Sequence, residues 1–202
     1  MSRTTTDRAP TDAARPAWAA LLFLLALALP APATADAEER PRFTVLEAST
    51  RLVDEVYMLD ARLTYALTAE AIEALENGVP LTIELQIQVR AERDLLWDET
   101  VAALSLRHTI EYRALADQYL VTNLTTGELS SHTKLAAALT TLGRVRDFPM
   151  LDRRLLHVGT RYHTQLRARL DVESLPLPLR PMAYLSSRWG MTSAWHTWLL
   201  AP

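Results

Sequence analysis

From Leu81 to Glu92 apolar and polar residues alternate without a break. Leu81, Ile83, Leu85, Ile87, Val89 and Ala91 take one side; Thr82, Glu84, Gln86, Gln88, Arg90 and Glu92 take the other. Period two predicts a strand with one buried and one wet face. Twelve residues at ~3.3 Å each span on the order of 40 Å, and a strand of that length needs a partner along most of it. Residues 104–114 supply one, with Leu104, Leu106, His108, Ile110, Tyr112 and Ala114 in the apolar register. His108 in that register is expected to be half-buried or hydrogen-bonded. Residues 161–172 repeat the pattern, with Tyr162, Thr164, Leu166, Ala168, Leu170 and Val172 against Arg161, His163, Gln165, Arg167, Arg169 and Asp171.

Shorter alternating runs predict further strands at 43–47, 57–67 and 144–148, the last stopping before Pro149. Tyr119–Leu124 and Glu128–His132 flank Thr125-Thr126-Gly127 and read as a hairpin. Two short helices fit the connections. One follows Thr68, a hydroxyl N-cap, and ends near Asn77-Gly78; the other carries Leu135, Ala138, Leu139 and Leu142 and ends at Gly143. Leu95, Leu96 and Trp97 before Asp98-Glu99 read as a bend with an aromatic plug. Pro176, Pro178 and Pro181 predict an extended, irregular segment. The tail, 184–200, holds Tyr184, Trp189, Trp195 and Trp198, and is expected to fold back over the open end of the core. Strands do not alternate with long helices, so a parallel α/β sheet is disfavoured. The expected fold is mainly β: an antiparallel β-sandwich of about seven strands with two short helices in connections. One sheet with both helices laid across a face is the alternative.

The N-terminus changes the picture of the compartment. Residues 1–16 are polar and contain Arg3, Arg8 and Arg15; Ala17–Leu29 is apolar; Pro30 breaks the run; Ala33-Thr34-Ala35 follows. A basic start, a short apolar core and a small-x-small tripeptide predict a secretory signal peptide over 1–35, cleaved after Ala35. Ala31-Pro32-Ala33 is a weaker site, and an uncleaved anchor is the competing reading. The apolar run is shorter than the ~20 residues that span a bilayer core. The expected product is a single domain, 36–202, located in the periplasm or otherwise outside the cytoplasm, with no transmembrane span after cleavage. The chain has no Cys among its 202 residues. That excludes disulfides, thiolate metal sites, a Cys nucleophile and a lipid-modified N-terminal Cys.

Charge is unevenly spread. Formal net charge is −6 over 36–79, −3 over 80–143 and +5 over 144–202. Arg161, Arg167 and Arg169 share the wet face of one predicted strand. Guanidinium groups suit bidentate contact with carboxylate or phosphate, so this row is the first candidate binding face. The competing reading pairs these arginines with acids on a neighbouring strand. Nucleic acid is a poor partner for an exported, net acidic domain.

Catalytic signals are sparse. The chain lacks His-Glu-x-x-His, Gly-x-Ser-x-Gly, Walker and Gly-x-Gly-x-x-Gly motifs. His157 and His163 lie six apart across Gly159 and could approach on a tight hairpin, but two solvated histidines fit the spacing better. Asp98 and Glu99 are adjacent, so their side chains diverge and cannot readily flank one bond. No catalytic residue, metal or cofactor is therefore assigned. Trp97 and Tyr119 are candidates to line a ligand pocket between the sheets. Trp195 and Trp198 are candidates for peripheral contact with a membrane interface, where Trp collects.

Several stretches carry a family resemblance. They are Trp97-Asp98-Glu99, 117–124 with Thr126-Gly127-Glu128, Leu142–Pro149, Arg167–Asp171, and Leu175–Pro181 with Trp189, Ser193 and Trp195 beyond. Together these resemble the DUF4390 family of proteobacterial exported proteins of unknown function, over about 42–200. The resemblance implies location and size; it also implies a signalling context, and it assigns no catalytic residue. The expected function is a non-catalytic module binding an envelope protein or an anionic envelope component. The alternatives are an envelope hydrolase with a fold-assembled site and a small-ligand-binding sensor accessory.

Overall fold

The computed structural model describes residues 43–93 and 98–200. The expected signal, 1–35, and Trp97 lie outside the described residues, so neither expectation is addressed by the fold. The described residues all fall within one compact unit.

Among the described residues nine strands form two antiparallel sheets. They are β1 (Phe43–Val53), β2 (Val56–Tyr65), β3 (Leu81–Ala91), β4 (Glu99–Arg113), β5 (Gln118–Asn123), β6 (Leu129–His132), β7 (Arg144–Asp152), β8 (Tyr162–Leu170) and β9 (His196–Leu200). The small sheet has the order β1-β2-β7, the large sheet β6-β5-β4-β3-β8-β9. The mainly β, sandwich-like architecture agrees with the alternation in the sequence. The count exceeds seven chiefly because the tail contributes β9.

The long strand is central, as its length requires. On one side β3 pairs Ile83 with His108, Leu85 with Leu106 and Ile87 with Leu104; on the other it pairs the same three residues with Leu170, Ala168 and Leu166. The apolar positions of three strands thus fall in register and merge with Phe43, Tyr57, Leu59 and Leu63 of the small sheet into one core. Leu81, Ile83, Leu85 and Ile87 have no exposed surface. Each contributes ~1.5–3 kcal/mol of burial energy.

Among the described residues three α-helices occupy connections: α1 (Ala69–Glu76), α2 (Leu135–Leu142) and α3 (Arg180–Leu185). Thr68 caps α1 as expected, its side chain accepting from the Ala71 N–H at 3.2 Å. Gly143 closes α2.

The structure departs from the sequence reading at one turn, one strand end and the proline-rich segment, and again in the tail. The first hairpin turns at Asp54-Glu55, both in the left-handed region, so β1 runs to Val53 rather than ending near Glu47. Asp54 tolerates the left-handed region, but Glu55 rarely adopts it and no Gly, Asn or Pro marks the turn. β7 continues through Pro149 to Asp152, because β7 is an edge strand and the missing N–H of Pro149 costs the sheet nothing there. The proline-rich segment is not extended: it forms a short 3₁₀ turn at Leu177–Leu179 and then α3. Pro181 lies in the first turn of α3, where no N–H is needed.

The tail is built into the sheet rather than draped over it. β9 pairs with β8, Trp189 and Met191 are buried, and the Trp198 indole N–H donates to Thr50 Oγ1 of β1 at 3.3 Å.

Candidate functional site

The arginine row is the first site to test against the geometry. Arg169 faces Glu84 across the β3–β8 ladder, and its Nε donates to Glu84 Oε2 at 2.5 Å. Arg167 faces Gln86, whose Oε1 accepts from Nε at 3.3 Å and from Nη2 at 2.6 Å. The Arg167 guanidinium also stacks on Trp195, 4.5 Å from the ring centroid. Arg161, just before β8, has its Nε 3.4 Å from Glu92 Oε2.

The outer face of the large sheet is therefore a cross-strand network rather than a free cationic surface. Arg107 extends it by pairing with Asp171 and donating to Ser174 Oγ at 2.6 Å. Burial alone would push the Glu84 and Asp171 carboxyl pKa values up. Hydrogen bonds from Ser105 and Arg169, and from Ser174 and Arg107, outweigh burial and hold both below the usual carboxylate range.

A different site opens between the sheets. Along one margin of the sandwich β1 lies against β8 and β9, and the Trp198–Thr50 hydrogen bond closes that side. Along the other margin β7 approaches β4, while β5 and β6 lie further out in the large sheet and are flanked by α2. A cleft of about 460 Å³ remains between β7, α2 and the inner face of β4, β5 and β6. Its apolar wall is Leu106, Val121, Val145, Phe148 and Pro149.

The polar lining comes from four separate segments. His108 stands on β4 opposite Asn123 of β5, and the Asn123 N–H donates to the Glu128 carbonyl at 2.9 Å. These three form one polar row across the end of the sheet. Asn123 Oδ1 accepts from the Thr125 and Thr126 N–H groups at 2.9 and 3.2 Å, which fixes the hairpin turn together with Gly127 at φ +74°. From β7 come Arg144, Arg146 and Asp147, and from α2 comes Thr141. Asp147 sits in the left-handed region at a break in the β2–β7 register. Its charge is matched by Arg51, and its N–H donates to Asp60 Oδ1 at 3.1 Å.

Two features leave the cleft unsatisfied. His108 Nδ1 is buried with no hydrogen-bond partner among the described residues. Burial pushes this imidazole below its ordinary pKa, and the nearby Glu128 carboxylate only partly opposes that. Arg144, Arg146 and Glu128 also form no ion pair among the described residues. The two arginines stand at the edge of the small sheet and border a second hollow on its outer side, but the acids there, Glu47 and Asp60, already pair with Arg62 and Arg51.

Of the other candidates, Tyr119 is buried on β5 against Tyr112, ring centroids 4.8 Å apart, away from the cleft. His163 pairs with Asp98 at 3.6 Å; His157 is exposed in the β7–β8 connection. Among the described residues no three His, Asp or Glu side chains converge as a metal site would need. No described helix is long and apolar enough to cross a membrane. Of the cleft residues, His108 stood out in the sequence as a polar residue in an apolar register, and Asn123, Thr126, Glu128 and Arg144–Pro149 lie in the stretches that carry the family resemblance, though nothing local marked them as one site. They are brought together by strand register and helix packing.

Nothing among curated proteins or solved structures matches the chain. The family described as a domain of unknown function, DUF4390, matches residues 40–199, nearly the whole of the β sandwich with its cleft and its outer-face network. On that match the chain belongs to the DUF4390 family.

Proposed function

We propose that this protein is an exported, non-catalytic binding module of the cell envelope whose site is the cleft between the two sheets. The observation that carries the reading is the buried, unpartnered His108 Nδ1 at a cleft of about 460 Å³. Ligand sites fall at ~300–1,000 Å³, with mostly apolar walls and a few placed polar groups, and this cleft has that character. A buried polar atom without a partner costs ~1–3 kcal/mol, a cost a bound ligand removes. The arginine row contributes less than its sequence pattern suggested, since Arg161 and Arg169 face carboxylates and the Arg167 guanidinium is held by Gln86 and Trp195. Contact with a membrane interface through Trp195 and Trp198 is a weaker proposal, because both rings already have partners in the fold.

A hydrolytic reading has one observation in its favour. Ser130 Oγ, on the cleft wall, lies 3.3 Å from His132 Nε2. No carboxylate hydrogen-bonds His132 among the described residues, so the third member that orients the base in a catalytic triad is missing.

A thermal-shift screen of envelope-type small molecules tests the proposal, with Thr141→Trp as the blocking variant. Thr141 is exposed on α2, so the indole occupies cleft volume without disturbing the core. A ligand at 100-fold its dissociation constant adds ~2.7 kcal/mol. The expected result is a stabilising compound whose effect Thr141→Trp removes. Compounds that act equally on both proteins, or ester hydrolysis abolished by Ser130→Ala, would refute the reading.

A further inference from the structure

The charges around the cleft are of both signs and stand on different elements. Glu128 comes from the β5–β6 turn, Arg144 and Arg146 from β7, and none of them forms an ion pair among the described residues. Asp147 also lines the cleft, but Arg51 neutralises it. What remains unanswered is one carboxylate on the large-sheet side and two guanidinium groups on the small-sheet side. Between them lies the apolar wall with Leu106, Val121 and Phe148, together with His108, which has an unused ring nitrogen.

Single-class ligands leave part of this unmatched. A fatty acid or phosphate ester would answer the arginines and place its negative charge near Glu128 with nothing to gain from it. A neutral sugar would leave all three charges unanswered. A molecule with an ammonium group, a carboxylate and an apolar side chain matches each part: ammonium to Glu128, carboxylate to Arg144 and Arg146, side chain to the apolar wall. Resting on the cleft reading above, we infer that the ligand is zwitterionic, an apolar amino acid or a short peptide bearing free termini. Rim charges on opposite walls then select the ligand by its two ends, and the wall selects by side chain.

The probes are L-leucine, L-phenylalanine and the dipeptide Leu-Leu, titrated into the purified protein by calorimetry alongside N-acetyl-leucine and leucinamide. Wild type is expected to prefer a zwitterion over either blocked analogue by at least tenfold. Glu128→Gln is expected to erase the preference over N-acetyl-leucine while keeping the preference over leucinamide. Arg144→Gln with Arg146→Gln is expected to do the reverse. All three positions are exposed, and an unchanged melting temperature of the free variants verifies the fold. Tighter binding of leucine than of Leu-Leu assigns a free amino acid, and the opposite order assigns peptide ends. Blocked analogues that bind as well as zwitterions overturn the inference, as does binding that survives in Thr141→Trp. If no zwitterion binds but another compound class stabilises the protein in a Thr141→Trp-sensitive way, this inference falls and the cleft reading stands.

Discussion

Gly143 offers a sharp test of how α2 is seated on the small sheet. A glycine closing a helix usually serves a left-handed backbone, so the ordinary expectation is that alanine is disfavoured for conformational reasons. Here φ is −79° and ψ is 2°, which any residue adopts. The constraint is space. A Cβ at this position would lie 2.3 Å from the Leu63 carbonyl oxygen and 3.2 Å from its carbon. The obstacle is backbone of β2, the middle strand of the small sheet, and cannot rotate aside. Restoring an ordinary contact needs a relative shift of roughly 1 Å, since methyl–oxygen contacts begin near 3.4 Å and interiors are close-packed. That shift strains the Leu63 N–H to Gly143 carbonyl hydrogen bond, now 2.8 Å. Overpacking at ~1–3 kcal/mol plus a hydrogen bond at ~1 kcal/mol predicts a loss of ~2–4 kcal/mol for Gly143→Ala. Gly78 is the control. It has φ +82° and nothing within 4 Å of a built Cβ, so Gly78→Ala costs only the left-handed penalty of ~1–2 kcal/mol. Gly78→Asn, a residue that tolerates this region, should recover much of that, whereas Gly143→Asn should be as damaging as Gly143→Ala or worse. Urea denaturation followed by circular dichroism reads all four variants at fixed m-value. A Gly143→Ala protein within ~0.5 kcal/mol of wild type, the usual range for benign surface changes, would show that α2 does not approach β2 this closely.

Other expectations follow from single groups. Thr68→Ala removes the cap of α1 and should cost ~1 kcal/mol, with Thr68→Ser restoring most of it, read by the same denaturation experiment. The Tyr65 hydroxyl is buried without a partner among the described residues, and burial raises its pKa strongly. Tyr65→Phe should therefore leave stability unchanged or raise it by up to ~1 kcal/mol, whereas a loss above that would reveal a hidden hydrogen bond. Glu84 and Asp171 are held below their unfolded pKa values, so the unfolded chain binds protons at these sites more readily than the native one. Their contribution is complete above the unfolded carboxylate pKa, near 4, and is lost as pH falls through the lower folded values. Melting temperature measured from pH 6 to pH 2 should fall along that limb, and the Glu84→Gln, Asp171→Asn double variant should show a flatter limb from a lower starting stability.

The sequence was most informative where local periodicity and tertiary environment agree. β3, β4 and β8 are legible because each buries one face along its length, so the alternation of Leu81–Ala91 is also the alternation of the core. The cap at Thr68 is legible because it uses local chemistry; Gly143 marked the end of α2, but the close approach of the Leu63 carbonyl that demands a glycine there is tertiary. The Asp54-Glu55 turn was not legible, because no Gly, Asn or Pro accompanies Asp54 and Glu rarely adopts the left-handed region; the pairing of β1 with β2 holds both residues there. Pro149 and Pro181 misled for a related reason. Whether a missing N–H matters depends on whether a neighbour needs it, and an edge strand and a helix first turn do not.

The arginine row shows the same division at the level of function. Alternation alone put Arg161, Arg167 and Arg169 on a common wet face. Only register could show that Glu84 and Gln86 stand opposite two of them, because a strand does not encode which residue of its neighbour it will meet. The cleft lies further still from the sequence. Glu128, Asn123, His108, Thr141, Arg144 and Arg146 come from separate elements, and their convergence depends on a three-stranded sheet covering only part of a six-stranded one. By itself the sequence determined the mainly β character, the identity of the long strands and the family. The tertiary structure alone decided which charges are paired inside the fold and which, among the described residues, are left unpaired at the cleft, because charge compensation is a property of pairs and pairs are made by packing.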